Sequence, residues 1–422
     1  MECQSKQKFV SSPGKVIGST YFEQTREGQY LVYDLVERKF VIPMEADQVW
    51  IQWVTEACTY VPLPKLPWPP ITIPKSYMTV EVLYNEIKQF LLDHIDFAEK
   101  IEYEIATAWV MHTWRMENWK CTPYLFFFGP PASGKTWAME VLGALAYRPM
   151  MTFPSPAAVY RTTEEWHPTF FLDEVQMYLQ RTEKADIINY LNAGYRRGQT
   201  VIRMEENPQT KRLEPVPFEV FGPKCLAGTI GLLETLKTRC FTIVMSRAVR
   251  HVNLHLDAEQ IDYFRSRLFT YRLDCLSENS DIIDMLQFSE KYKEITDGRL
   301  KELVFPLYEV APTSCKELFA ELLFKLRGEL LEEEALSIEA IIFSALVTAH
   351  KERPLIPLSD VATAVNELIT STAEWIDNKT IGHIISKLGF NKMRYKNRTH
   401  IIWDDNIAVR LLKRYPTRRE EE

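Results

Sequence analysis

The sequence predicts an α/β protein. Its centre is a P-loop nucleotide-binding core on a parallel sheet, preceded by a small β-rich region and followed by a helical lid and a C-terminal winged helix. Three observations carry this prediction. The apolar run Tyr124–Phe128 leads directly into Gly129-Pro130-Pro131-Ala132-Ser133-Gly134-Lys135-Thr136, a full match to the pattern G-x-x-x-x-G-K-[S/T], and a helical pattern from Thr136 to Leu145 follows. A second apolar run, Thr169–Leu172, ends in Asp173-Glu174, 38 residues after Lys135. The last segment reads helix, helix, two short strands and a final helix, the order of a winged-helix module.

Residues 1–60 alternate as strands do, notably in Gln29–Asp34 and Arg38–Ile42. The stretch Val61-Pro62-Leu63-Pro64-Lys65-Leu66-Pro67-Trp68-Pro69-Pro70 reads as a stiff, extended linker, because proline fixes φ; a proline-rich ligand for a partner domain is the alternative. Helical periodicity over 79–117 forms a lead-in to the core. In the glycine-rich loop, backbone N–H groups converge on phosphate oxygens at a helix N-terminus. Lys135 would reach the β- and γ-phosphates, and Thr136 would ligate Mg²⁺. This is a site for a nucleoside triphosphate, with ATP and Mg²⁺ expected.

A second strand is expected at Pro149–Phe153 and a short helix around Ala157–Trp166. After the third strand, Asp173 would hold the metal's shell and Glu174 would polarise the attacking water. A plain helix N-terminal Asp-Glu is the competing reading. A helix over Thr182–Tyr195 precedes two strands, Gln199–Met204 and Leu213–Phe218, flanking the tip Glu205–Arg212. On this hairpin Lys211 and Arg212 would grip a phosphate backbone, or else be ordinary solvated charges. The strand Phe218–Ala227 ends at Gly228-Thr229, where Thr229 would sense the γ-phosphate or merely satisfy a loop. Arg239 precedes the strand Phe241–Met245 and is read as an arginine finger for a neighbour's site, against a helix-dipole arginine.

Beyond residue 250 the pattern is helical and amphipathic to about 352, where Pro354-Leu355-Ile356-Pro357 breaks it. Arg265 and Arg267 are the candidates there for a second sensor arginine, and neither is assigned. Helices at Asp360–Ile369 and Thr380–Leu388 precede strands around Met393–Tyr395 and His400–Trp403 and a helix over Asn406–Lys413. Lys387, Lys392, Arg394, Lys396 and Arg398 are candidate DNA contacts on this module, with docking of a protein as the alternative. The expected domains are 1–76, 77–250, 251–355 and 356–422.

Composition is that of an ordinary globular protein: 422 residues, 46% apolar, 25% charged, net charge −7. No apolar run approaches the ~20 residues that span a bilayer, and Met1–Lys6 carries no signal-peptide core, so a cytoplasmic protein without membrane contact is expected. Seven scattered cysteines with no C-x-x-C read as buried thiols rather than a zinc site. The acidic balance argues against coating nucleic acid with the whole surface, yet residues 391–419 hold nine Lys or Arg against two Asp, a local excess of 9 − 2 = +7.

From about Thr79 onward the chain resembles a family of AAA+ ATPases of phages, plasmids, mobile elements and archaea, themselves similar to superfamily III and minichromosome-maintenance helicases. The residues that carry the resemblance are Pro123-Tyr124-Leu125 entering Gly129–Thr136, Phe171-Leu172-Asp173-Glu174, Gly194-Tyr195-Arg196-Arg197-Gly198, Thr238-Arg239-Cys240 and Trp375-Ile376-Asp377 through Trp403. The resemblance implies an AAA+ core and a hexameric ring that translocates on single-stranded or forked DNA and unwinds it during replication. ATP would bind between subunits, with Arg239 acting in trans. The competing expectation is an AAA+ ATPase that loads or remodels protein partners. Against it, the tip Glu205–Arg212 lacks the aromatic residues that grip unfolded chain. A non-hydrolytic nucleotide switch is the third, and the intact Asp173-Glu174 argues against it.

Overall fold

The computed structural model describes residues 8–25, 29–41, 53–54, 58–71, 73–152, 155–179, 184–207, 209–278, 282–350, 353–369 and 376–415. The chain divides into two units, Met1–Leu322 and Leu323–Glu422.

The first unit opens with β1 (Lys8–Ser11), β2 (Gly14–Ile17), β3 (Thr20–Gln24), β4 (Tyr30–Asp34), β5 (Lys39–Phe40), β6 (Trp53–Val54) and β7 (Cys58–Val61). Strands β2 to β5 form an antiparallel meander, and β1 pairs in parallel with β7 beside β6. Period-2 alternation sorts β3 and β4: Phe22, Tyr30 and Val32 bury one face, whereas Tyr21 and Glu23 point the other way and are equally buried. Glu23 accepts from Arg148 Nε (3.0 Å) and from the Tyr147 hydroxyl (3.0 Å). A buried carboxylate is tolerable only with such partners. The proline-rich stretch is fastened rather than free. Leu63 and Gln24 exchange two hydrogen bonds (2.8 and 2.9 Å), and buried Trp68 packs edge-on against Trp166. Ile42 and Phe153, at the ends of two expected strands, lie outside the described residues, as do Thr182 and Trp375.

Helices α1 (Val80–His94) and α2 (Lys100–Thr113) lead into the core, as their apolar spacing predicts. The core then runs β8 (Tyr124–Phe128), α3 (Lys135–Leu145), β9 (Pro149–Met151), α4 (Pro156–Trp166), β10 (Thr169–Leu172), α5 (Val175–Leu179) and α6 (Lys184–Ala193). The hairpin β11 (Thr200–Glu206) and β12 (Leu213–Glu219) comes next, then β13 (Lys224–Gly228), α7 (Glu234–Lys237) and β14 (Cys240–Val244). Five strands make one wholly parallel sheet in the order β14-β8-β13-β10-β9. Every residue of β10 and β13 is buried, which is why these runs read as continuous rather than alternating hydrophobics.

Helices α8 (Ala258–Glu278), α9 (Leu286–Lys291), α10 (Gly298–Val310) and α11 (Lys316–Ala335) follow, the division between units falling within α11. On α8, Arg265 donates to the carbonyls of Ala146 and Pro69 (2.9 Å each), and Arg267 to Glu86 and the Tyr263 hydroxyl. Both are buried. These arginines brace the fold.

The second unit contains α12 (Ile338–His350), β15 (Leu355–Pro357), α13 (Leu358–Ile369), α14 (Asn378–Lys387), β16 (Asn391–Tyr395), β17 (Arg398–Ile402) and α15 (Asp405–Arg414). Its core gathers Phe343, Leu346, Val365, Ile381, Ile385 and Ile401. Asp377 caps α14 by accepting from Thr380 N (2.7 Å), and Asp404 caps α15. The Lys396-Asn397 turn has φ of 47° and 60°, the left-handed pair that closes a two-residue hairpin. Strand β15, inside the Pro354–Pro357 stretch read as a break, pairs with β17 at the sheet edge. An edge tolerates proline because one side of the strand needs no N–H. The buried Ile356, opposite Ile401, explains the short strand.

Candidate nucleotide site and arginine cluster

The glycine-rich loop sits at the C-terminal end of β8, beside the C-terminal ends of β13 and β10. Gly129 N donates to Gly228 O (3.3 Å), and Met245 N donates to Phe128 O (2.7 Å). A Cβ on Gly129 would lie 2.2 Å from Met245 O, so this position admits only glycine. Ala132 (φ 60°) and Gly134 (φ 84°) turn the chain through left-handed conformations into α3. Lys135 is buried, and its ammonium donates to Gly129 O (2.8 Å), Pro130 O (2.7 Å) and Ser133 Oγ (3.3 Å). Ser133 is buried too, whereas Pro130, Pro131, Ala132 and Gly134 form the exposed lip.

The acidic pair meets this loop. Thr136 Oγ1 donates to Asp173 Oδ2 at 2.6 Å, and Asp173 Oδ1 accepts from Glu174 N at 2.7 Å. Glu174 adopts φ 48° and is exposed. Thr229, one residue beyond β13, donates its N–H to Gln176 Oε1 (3.4 Å). Gln176 lies outside the sequence motifs. A glutamine two residues after the acidic pair, in the otherwise apolar Val175–Leu179, is the signal that marks it. It ties the turn after β10 to the turn after β13. A hydroxyl and a carboxylate at hydrogen-bond distance are hard oxygen donors of the kind Mg²⁺ takes, and a helix N-terminus with an adjacent lysine suits polyphosphate.

Arg239 lies elsewhere. Cys240 pairs with Tyr124 and Val244 with Phe128, so Arg239 stands at the N-terminal end of the sheet. The loop begins beyond the other end of the same strands, roughly 16 Å away at ~3.3 Å per residue. Its guanidinium is 5.8 Å from the ring centre of buried Tyr195, and that of Arg299 is 5.2 Å from the same ring. Burial, and then the charge of Arg299, push Arg239 below the usual arginine range. Glu302 is shared between Arg196 and Arg299.

The basic candidates divide likewise. Lys211 faces Glu206 at 3.4 Å, both well exposed, and Arg212 is exposed on the same tip. The hairpin's inner face is engaged, Arg203 with Asp186 and Glu205 with Arg161. Its outer face presents Ile202, Met204 and Leu213, each more than half exposed. In the second unit, Lys392 Nζ donates to Gly382 O (2.8 Å), and Lys396 lies 5.3 Å from the Tyr395 ring. Arg394 and Arg398 are exposed on β16 and β17, and Lys387 is exposed at the end of α14.

No protein-family model matches the chain, and no curated protein matches it. Among solved structures, it is similar to two apo A-form structures of the NrS-1 C-terminal region. The first has 10% identity and a TM-score of 0.39 over 92% of this chain and 97% of that one. The second has 12% identity and a TM-score of 0.37 over 91% and 96%. Among the described residues no helix is long and apolar enough to cross a membrane.

Proposed function

We propose that this chain is an AAA+ ATPase that hydrolyses Mg²⁺-bound ATP and acts on single-stranded or forked DNA, as a ring helicase or replication-initiation ATPase. The observation that carries the reading is the Thr136–Asp173 hydrogen bond (2.6 Å) beside the buried Lys135. It joins two motifs 37 residues apart at the C-terminal edge of one parallel sheet. Ligands of open α/β sheets bind at that edge.

In this reading Gly129–Thr136 cradle the phosphates, and Lys135 neutralises charge developing between the β- and γ-phosphates. Mg²⁺ held through Thr136 and Asp173 would screen the phosphate oxygens. Glu174, exposed beside them, takes the proton of the attacking water, and Thr229 orients it. Arg239 cannot reach its own chain's loop across the length of β14, which supports action on a second copy and hence a homo-oligomer, read here as a hexamer. The order α13, α14, β16, β17 supports a winged helix whose Lys392, Arg394, Lys396 and Arg398 approach DNA. The test is steady-state ATP hydrolysis with and without single-stranded DNA, with Lys135→Ala as the blank. Strong stimulation by DNA is expected, and hydrolysis indifferent to DNA would sink the DNA reading.

One observation favours a second reading, an ATPase that remodels protein partners. The outer face of the hairpin is apolar at Ile202, Met204 and Leu213, and Lys211 is already opposed by Glu206. Stimulation by an unfolded polypeptide instead of DNA would decide for it.

A further inference from the structure

The cationic cluster at the N-terminal end of the sheet has a chemistry beyond that of a single finger. Two guanidiniums, of Arg239 and Arg299, share one buried ring, and a third, of Arg196, is joined to Arg299 through Glu302. Two of these positive charges, Arg196 and Arg299, share the Glu302 carboxylate, and Arg239 has no carboxylate partner among the described residues. Arg239 donates from Nη1 to Thr235 O in α7, while among the described residues its buried Nε has no hydrogen-bond partner. Arg299 and Arg196 keep about a third of their side-chain surface open (37% and 36%), so the cluster reaches solvent.

Like charges held this close in partial burial repel, and an anion relieves the cost. A guanidinium's planar fork matches phosphoryl oxygens better than any other side chain does. Two guanidiniums on one ring suit one compact phosphoryl group, not a nucleic-acid backbone followed over several nucleotides. The chain's own phosphate loop lies at the far end of the strands, so the phosphoryl group must come from another molecule. We propose that Arg299 is a second phosphate-contacting arginine, acting with Arg239 on the nucleotide bound by a neighbouring copy of this chain, while Glu302 and Arg196 position it. This rests on the ATPase reading above.

Mixing copies tests it. Arg299→Ala alone is expected to bind a fluorescent ATP analogue as the parent chain does and to lose about tenfold or more in turnover. Adding Lys135→Ala copies, themselves inactive, should restore turnover, because the intact loop of one copy then meets the intact arginines of the other. Arg239→Ala, run in parallel, should behave the same way. Parent-like turnover by Arg299→Ala overturns the proposal. So does lost turnover that Lys135→Ala copies fail to restore, or a loss confined to DNA affinity. If the parent chain shows no Lys135-dependent hydrolysis, the ATPase reading itself has failed, and the proposal with it. Should Arg299→Ala not fold, Arg299→Lys, which keeps the charge and loses the fork, goes through the same mixing.

Discussion

The two ends of the parallel sheet differ in kind. At the C-terminal end the hydroxyl and carboxylates are wet, over a buried Lys135 and Ser133: Thr136 and Glu174 are exposed, and Asp173 is half-buried. At the N-terminal end they are dry: His112, Thr122, Tyr195 and Lys224 are fully buried. The wet end offers hydroxyl, carboxylate and ammonium groups around a helix N-terminus, the set a triphosphate needs. On this dry frame of aromatic rings stand the arginines, which themselves reach solvent through Arg196 and Arg299. On the proposed reading, a phosphate loop separated from the arginine cluster by the length of a strand would complete its site with another copy. The comparison is therefore about division of labour, and each variant below strikes one end.

The largest effect is expected at the wet end. Glu174→Gln keeps size and hydrogen bonding but cannot take a proton, so turnover should fall by about 10²–10⁴ with nucleotide affinity unchanged. Nucleotide binding and single-turnover hydrolysis measured on one preparation check this. A loss of affinity equal to the loss of rate would make Glu174 a structural turn residue, which its φ of 48° would then explain. Next come Lys135→Ala and Arg239→Ala, each expected to cost about 10²–10³ in turnover. They separate by binding: the first should lose nucleotide affinity and the second keep it. If both lost affinity alike, the two ends would not be functionally distinct.

The wet end was legible in the sequence because its constraints are local. Gly129 must be glycine against Met245 O, Lys135 and Thr136 follow at fixed offsets, and Asp173 ends an apolar run. The hairpin was legible from two strands with a polar tip. At the dry end Arg239 alone was legible, from Thr238-Arg239-Cys240; its surroundings were not, because their contacts are distant in sequence. Glu23 and Arg148 lie 125 residues apart, and Arg299 meets Tyr195 across more than a hundred residues of chain. No period or motif marks such pairs. Lys224 shows the limit most clearly: a lysine opening a strand reads as a solvated charge, yet it is buried over the Tyr124 and Tyr190 rings. Only tertiary packing places it there.

A smaller effect separates the two readings of the hairpin. If Lys211 and Arg212 contact single-strand phosphates, changing both to Ala should lower the salt-dependence slope of DNA binding by about 1.4, at ~0.7 per contact. Changing Ile202 and Met204 to Ser should leave that slope alone. The opposite pattern, with polypeptide stimulation lost on the Ser changes, would shift the hairpin's partner from DNA to protein.

The smallest effect probes the dry end by pH. His112 Nε2 lies 2.8 Å from Thr122 Oγ1, the ring packs on Trp119, and burial, with Arg115 adding, holds its pKa at about 3 against an ordinary 6.5. Because the folded pKa is depressed, the unfolded chain takes a proton below 6.5 that the folded chain refuses. Stability contributed by the neutral ring is therefore complete above 6.5 and is lost as pH falls toward about 3, by up to about 1.4 kcal/mol per pH unit. His112→Gln, which can keep a bond to Thr122, should flatten this dependence. Glu117 begins to contribute only below the ordinary glutamate value of 4.5, since Arg272 outweighs its burial and holds it at about 2. His167, pushed down to about 4 by desolvation and then by the charge of Arg148, loses stability over the same window. His112's share is therefore the difference between the parent chain and His112→Gln in denaturant midpoints at pH 7.5, 6 and 5. Thr122 N also donates to Tyr195 O (3.0 Å), and Tyr195 carries both Arg239 and Arg299. Acid should accordingly loosen amide protection around Tyr195 before it loosens the Gly129–Thr136 loop. Equal loss at both ends, or a slope unchanged by His112→Gln, would mean that the dry end is no separate structural unit.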